Sequence, residues 1–387
     1  MPPNATGGSL DSLKSLVQST ASLIAQFEND LHSVAFDKDL PDPSTLTPAH
    51  DDNIASVDAL SLAHDSASLV KAHTTKLSLL IINEPFTPSA ITTVLRELVA
   101  GPIPAIASAV HHCAADTHTA VARQDLAWRC YRVLKELRVL VEAVPLDGKI
   151  LSDSRKNGAK GDKGSIVTTG VIWAACDDVI LLKKLGIAGL LVKKAEEYRD
   201  TLQDVLEELK EWSEEADEED EDEDEEEDEG EDESVQHITD QLQNANISAQ
   251  QMIDDLMTPQ HIPRNDPDKI RERLDSCLRR LRLTTLLYSA IVKRRVKTLP
   301  PLPREQALPI TRRLDEVYPI LKRLPHRFGE VACAFYELDT SAIDQAMDSC
   351  FFDAFTAAEM LKQPWTGTED SFTEWADKFQ TSIKKPD

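Results

Sequence analysis

Several familiar protein classes are excluded by what this chain lacks. Glycine is sparse, at 13 of 387 residues, and Phe, Trp and Tyr together make up 5%. Sandwiches and barrels rely on tight turns and aromatic strands, so this composition argues against an all-β architecture. The six cysteines, Cys113, Cys130, Cys176, Cys277, Cys333 and Cys350, stand singly with no CxxC pair. They read as buried thiols in a reducing compartment, not as a disulfide framework. The N-terminus, MPPNATGGSLDS, has no basic stretch leading into an apolar one. Apolar runs such as Gly186 to Val192 fall far short of a bilayer span. A cytoplasmic and nuclear protein without membrane contact is therefore expected.

What is present in excess is acid, and it is local. The formal net charge is −26, yet 18 of the 68 Asp and Glu residues lie between Glu214 and Glu233, where only Ala216 and Gly230 are not acidic. Such a run holds nothing apolar that burial could use to offset the entropy of ordering, and its like charges repel. It is expected to be a disordered insert. Glu214, Glu215, Asp217, Glu218, Glu219 and Asp220 are candidates for contact with basic partners such as histones or polybasic segments. Nucleic acid, itself a polyanion, is not expected to bind there.

Elsewhere apolar residues recur at helical spacing. Leu13, Leu16, Val17, Leu23, Ile24, Phe27, Leu31 and Val34 mark a first helix of about seven turns. After a Pro- and Asp-containing linker, Ile54 through Leu80 mark a second. Thr87-Pro88 opens a short helix that stops at Gly101-Pro102, and a long helical region then reaches Val144. The polar, glycine-rich segment Lys149 to Ser165 reads as a mobile loop and domain boundary. Helices are expected from about 167 to 184, 187 to 214, 235 to 257 and 268 to 298, with further helical spacing from Ile310 to Leu361. The expected architecture is all-α, two packed antiparallel bundles of long helices. The N-terminal bundle takes residues 8–148, the linker 149–165, and the C-terminal bundle 166–387 with the acidic insert 214–233 inside it.

Catalytic patterns are hard to find. Gly158 to Ser165 superficially resembles a phosphate loop, but Gly164 stands where Lys must precede Ser. His111, Cys113 and His118 share a helical region without an obvious fourth ligand, and ordinary packing is the simpler reading. His64-Asp65-Ser66 are consecutive, so on a helix their side chains point around it and not at one another. Asp177-Asp178 and Glu196-Glu197 read as solvated faces. No catalytic residue, cofactor or metal site is assigned, and the chain is not expected to be an enzyme.

Between Arg264 and Lys297 the sign of the charge reverses, with 11 Lys and Arg against four acids. The plain reading is a basic helix exterior whose last turn complements the helix dipole. The sharper reading makes Arg279, Arg280, Arg282, Lys293, Arg294, Arg295 and Lys297 a surface for acidic partners or a clamp on the acidic insert. Direct DNA reading is not expected, because no helix-turn-helix, zinc or zipper pattern accompanies them.

The most distinctive stretch is Thr169 to Trp212. Its Gly170-Val-Ile-Trp173-Ala-Ala-Cys176-Asp177 core, Leu185-Gly186 break and acidic amphipathic helix Val192 to Trp212 resemble the cyclin-D-interacting protein family, also called Grap- and cyclin-D-interacting or cyclin-D-binding, in a fungal form. The resemblance implies helical bundles similar to those of vinculin and catenin. It also implies a non-catalytic negative regulator of cell-cycle progression and transcription that binds cyclin-D-type and helix-loop-helix partners. A vinculin- or catenin-like cytoskeletal adaptor and an acidic histone-binding chaperone are the alternatives. On the residues alone, Trp173, Cys176, Val179, Ile180 and Leu182 to Leu185 are expected to form a buried helix face, and Gly186 a break. The stripe Leu190, Ala195, Tyr198, Leu202, Leu209, Trp212 is expected to be core or a groove for a partner helix.

Overall fold

The computed structural model describes residues 5–37, 58–158, 163–222, 262–263, 265–300, 304–367 and 369–384. Every regular element among them is helical and none is a strand, as composition and periodicity predict. The expected helix over 235–257 and the acidic residues 223–233 lie outside the described residues.

The chain divides into two compact units, Met1–Val192 with Leu299–Glu316, and Lys193–Thr298 with Val317–Asp387. The first holds α1 (Ala5–Ala35), α2 (Ala59–Ile82), α3 (Pro88–Ala100), α4 (Pro102–His112), α5 (Ala115–His118), α6 (Ala120–Glu142), α7 (Asp153–Asn157) and the start of α8 (Ser165–Asp222). The break at Gly101-Pro102 falls where expected. The long helix predicted to reach Val144 is interrupted, however, because the buried Thr119 sits at φ 78°. Its hydroxyl then caps α6 by accepting the Ala122 N–H at 3.1 Å. The 149–165 segment lies within the first unit and contains the short α7.

In this unit α1 lies antiparallel along α6. Arg138 Nε donates to Glu28 Oε1 at 2.8 Å near one end, and Gln124 Nε2 donates to the Asp37 carbonyl at 3.0 Å near the other. Leu13, Ile24 and Leu31 face Leu126, Val133, Leu137 and Leu140 in one core, to which α2, α3 and α4 add Val70, Leu77, Ile91, Leu98 and Ile106. A single buried Leu, Ile or Val contributes about 1.5–3 kcal/mol, so this continuous apolar cluster dominates the unit's stability.

The second unit holds the rest of α8, then α9 (Ile270–Ile291), a π-helical turn Val292–Val296, most of α10 (Arg304–Tyr336), α11 (Thr340–Lys362) and α12 (Ser371–Ser382). Consecutive helices from α9 to α12 alternate in direction. Arg273 and Arg280 of α9 meet Asp344 and Phe351 of α11, a parallel pairing, while Arg280 and Arg295 meet Ile383 and Asp370 at opposite ends of α12. This is the alternation of an up-down bundle.

Two expectations are corrected here. The sequence places the end of the helix at Glu214, where the acidic run begins, but α8 continues to Asp222. Propagating an existing helix is far easier than starting one, Glu is a good helix former, and Lys210 supports Glu214 one turn on at 3.1 Å. Of the side chains of Glu215, Asp217, Glu218, Glu219 and Asp220 nothing is described. In addition, Pro88–His112 and Ser165–Glu214 are long and apolar enough by length and composition to cross a membrane, contrary to the reading of short apolar runs. Both are interrupted, by Gly101-Pro102 and by the non-helical Gly186 (φ 65°, ψ −176°).

Candidate protein-interaction surface

Within the first unit, α2 and α8 run antiparallel, joined by a ladder of polar contacts. Lys71 Nζ donates to both Asp177 oxygens at 2.6 and 2.7 Å, Trp173 Nε1 donates to Thr75 Oγ1 at 3.1 Å, and Thr169 Oγ1 lies 3.0 Å from Ser78 Oγ. Asp178 is held on the other side, where its side chain accepts from Arg132 and its carbonyl from Arg129, each at 3.0 Å. Asp177 and Asp178, expected to be merely solvated, are therefore paired to different helices, because adjacent residues on a helix point about 100° apart. On the inner face of α8, Cys176, Val179 and Leu182 are buried as predicted, together with Ile172 and Ala175. Ile180 and Leu185 are only partly buried, and Lys183 and Lys184, within the expected stretch, are exposed because they lie on the far side of the helix.

The outer face carries exposed apolar side chains among its polar ones. Ile166, Gly170, Trp173, Asp177 and Leu181, spaced four, three, four and four residues apart, fall on one ridge. Ile166 is 48% exposed, Trp173 38% and Leu181 41%, with Val167 beside them and Leu79 of α2 exposed on the neighbouring helix. Trp173 is thus a correction to the sequence reading. Its ring stands at the edge of the buried arc, and its indole N–H finds Thr75 instead of being enclosed, an arrangement suited to an amphipathic ring.

Gly170 is the most telling position on the ridge. A Cβ added there would meet nothing within 4 Å, so packing does not require glycine at this position. Glycine within a helix costs about 0.5–1 kcal/mol relative to alanine. The fold gains nothing from it, and its effect is a gap between Ile166 and Trp173. At the far end of the ridge a cavity of about 650 Å³ is lined by His64, Asp178, Ile180, Leu181, Lys183 and Lys184. Lys76, Lys163, Lys183 and Lys184 are exposed around this face and form no ion pair among the described residues.

This ridge lies in the segment that resembles a known family. Residues 63–215 match the family model described as Grap2 and cyclin-D-interacting, N-terminal. Over this segment the chain is similar to that family. The match covers less than half of the chain. An uncharacterized protein of Schizosaccharomyces pombe is 26% identical over 145 residues, 37% of this chain and 41% of the yeast protein's length. No solved structure matches the chain.

The basic residues singled out from sequence divide sharply. Arg279, Arg282, Lys293, Arg294 and Lys297 are exposed, with Arg294 donating to the Ser371 hydroxyl. Arg280 and Arg295 are instead 4% and 1% exposed, which corrects the expectation of a basic helix exterior at those two positions. Arg295 Nε and Nη2 donate to the Leu361 and Lys362 carbonyls at the end of α11, at 2.6 and 2.8 Å. Its two Nη groups also reach the Asp370 carboxylate at 2.7 and 3.0 Å, and its guanidinium lies 4.3 Å over the Phe372 ring. The Arg295 guanidinium holds the Asp370 carboxyl well below the usual carboxylate range. Helical spacing alone could not separate these arginines, because their acceptors come from the ends of later helices.

Other residues considered for chemistry have ordinary surroundings. His64 Nδ1 lies 2.8 Å from its neighbour Asp65, contrary to the expectation that they point apart, while Ser66 is buried and donates to the Leu62 carbonyl. Among the described residues no three His, Cys, Asp or Glu side chains are grouped to hold a metal ion. Five cysteines are buried and Cys333 is exposed, a correction to the all-buried reading. Burial pushes the thiols of Cys113, Cys176 and Cys277 up to about 12, which keeps them un-ionised and poor nucleophiles.

Proposed function

We propose that the chain is a non-catalytic protein-interaction protein whose α8 ridge receives an amphipathic helix of a partner. In this reading the partner's apolar side chains seat against Ile166, Trp173 and Leu181, with one entering the gap at Gly170. Acidic residues flanking that helix then face Lys76, Lys163, Lys183 and Lys184. The family description directs the choice of partner to D-type cyclins and Grap2, and the regulatory role in cell-cycle progression follows from that choice. Cytosol and nucleus suit a chain whose six cysteines are all free.

The observation that carries the proposal is the unoccupied gap at Gly170 in an exposed apolar row. Single exposed hydrophobics are common on any protein and mean little, but a row with a helix-weakening glycine in its middle serves no purpose in the fold. Titrating a recombinant D-type cyclin into the full chain and into Ile166→Glu and Leu181→Glu variants tests it. Both variants should keep the wild-type melting temperature within a few degrees and lose at least tenfold in affinity. Unchanged affinity would place the contact elsewhere.

A further inference from the structure

We propose a carboxylate-binding site in the groove between α9 and α11 of the second unit, a site independent of the α8 ridge. The groove has a volume of about 510 Å³ and is lined by Arg273, Ser276, Arg279, Arg280, Asp344 and Asp348 among others. That size is ordinary for a ligand site. Arg280 is its unusual member. The residue is only 4% exposed, and its guanidinium lies 3.7 Å over the Phe351 ring. Nε donates to the Ile383 carbonyl at 2.8 Å. Neither Nη nitrogen meets an acceptor among the described residues.

Arginine carries five N–H donors, and taking the cation out of water is costly unless those donors are satisfied. Here only one donates to protein, and stacking fixes the plane of the guanidinium at the groove. A pre-oriented, partly desolvated fork is what two parallel hydrogen bonds to a carboxylate require. The surrounding charges select among anions. Arg273 is engaged with Asp344 at 3.2 and 3.3 Å, and Lys269 with Glu272 at 3.4 Å. Among the described residues Arg279 forms no ion pair, and neither do Asp275 and Asp348 in the same groove. Asp348 acts on Arg280 electrostatically without forming an ion pair with it. Two uncompensated acids disfavour a dianionic phosphate and tolerate a single carboxylate. The open groove fits that carboxylate as part of an extended peptide.

The test is two-dimensional NMR of the arginine Nε–Hε signals of the full chain. The probes are N-acetyl-Ala-Ala-Glu-Ala-Ala-amide, its Gln counterpart, N-acetyl-penta-alanine with a free and with an amidated C-terminus, and inorganic phosphate. The Arg280 signal should shift saturably with an acid-bearing peptide and stay in place with its amide partner. The tighter of the two acids identifies the source as a side chain or a chain end. Because Arg280 also holds the Ile383 carbonyl, its replacement would disturb α12, so the informative variant is Asp348→Asn at an exposed position. Removing that like charge should tighten acid binding about threefold or more. Equal shifts from acid and amide peptides, tighter binding of phosphate, or weaker acid binding by Asp348→Asn would overturn the assignment.

Discussion

The two units differ in how much apolar surface they leave outside. Among the described residues, the first unit exposes ten large hydrophobics, including Leu69, Leu79, Ile166, Val167, Trp173 and Leu181, whereas the second exposes only Leu286 and Phe352. Both units enclose charge, since Glu28, Arg129 and Asp315 are buried in the first as three charged residues are in the second. Arg280 and Arg295 are buried, and Asp353, 4% exposed, accepts from both Arg323 (2.6 and 2.7 Å) and Arg327 (2.7 Å). Buried charges in either unit depend on their partners being present, and what sets the first apart is its exposed apolar surface. Such a surplus of exposed apolar surface is what a binding surface requires.

The sharpest way to break this comparison is Asp370→Ala. It would leave Arg295 buried without its carboxylate and remove the capping box that starts α12. Because Asp370 itself is 38% exposed, the expected loss is about 2–3 kcal/mol and not the full penalty of an enclosed pair. Denaturant unfolding checks it, and a loss under about 0.5 kcal/mol would show that the buried arginine does not govern the second unit. The Asp370 carboxyl is held low, so its stabilisation is present at neutral pH and lost as pH falls below the ordinary carboxylate value near 4.

Asp315 supplies the opposite pH response in the first unit. It accepts the Ala120 and Val121 N–H groups at 2.8 and 3.3 Å, and burial pushes its carboxyl up to about 6. Its folded value exceeds the unfolded one, so the fold favours the protonated form. Stability from this group falls as pH rises from about 4 to about 6 and is absent at neutral pH. The expected size is up to about 3 kcal/mol. Asp315→Asn, which mimics the protonated side chain, should remove that slope. Parallel stability-versus-pH curves for the two proteins would contradict it.

A smaller effect is expected at Trp173. Replacement by Ala removes the bond to Thr75 and a half-exposed ring, costing about 1 kcal/mol, well below the 3–5 kcal/mol of an enclosed aromatic. A loss in the larger range would mean that the ring is core and the ridge is not a free surface.

The helices are legible in the sequence because periodicity reports burial directly: the α1 stripe, the Pro88 start and the Gly186 break all stand where spacing and breakers put them. Partners distant in sequence are not legible. Nothing near Arg295 announces that Asp370, 75 residues later, will enclose it, and nothing near Asp177 announces Lys71. The ridge is half visible. Gly170 and Trp173 stand in the most distinctive stretch of the chain, but apolar residues in a helix read as core by default, and only the placement of α2 shows which side of α8 stays open. Asp315 gives no signal at all, since a single acid in an amphipathic helix looks like solvent-facing surface until α6 is set against it.

The most direct test of the α8 ridge separates what the fold needs from what binding needs at one position. Gly170→Gln places a good helix former, with no apolar gain, in space that the fold leaves empty. The melting temperature should rise by a few degrees, corresponding to about 0.5–1 kcal/mol, while affinity for a D-type cyclin falls at least tenfold. A variant that is both more stable and undiminished in binding would contradict the account.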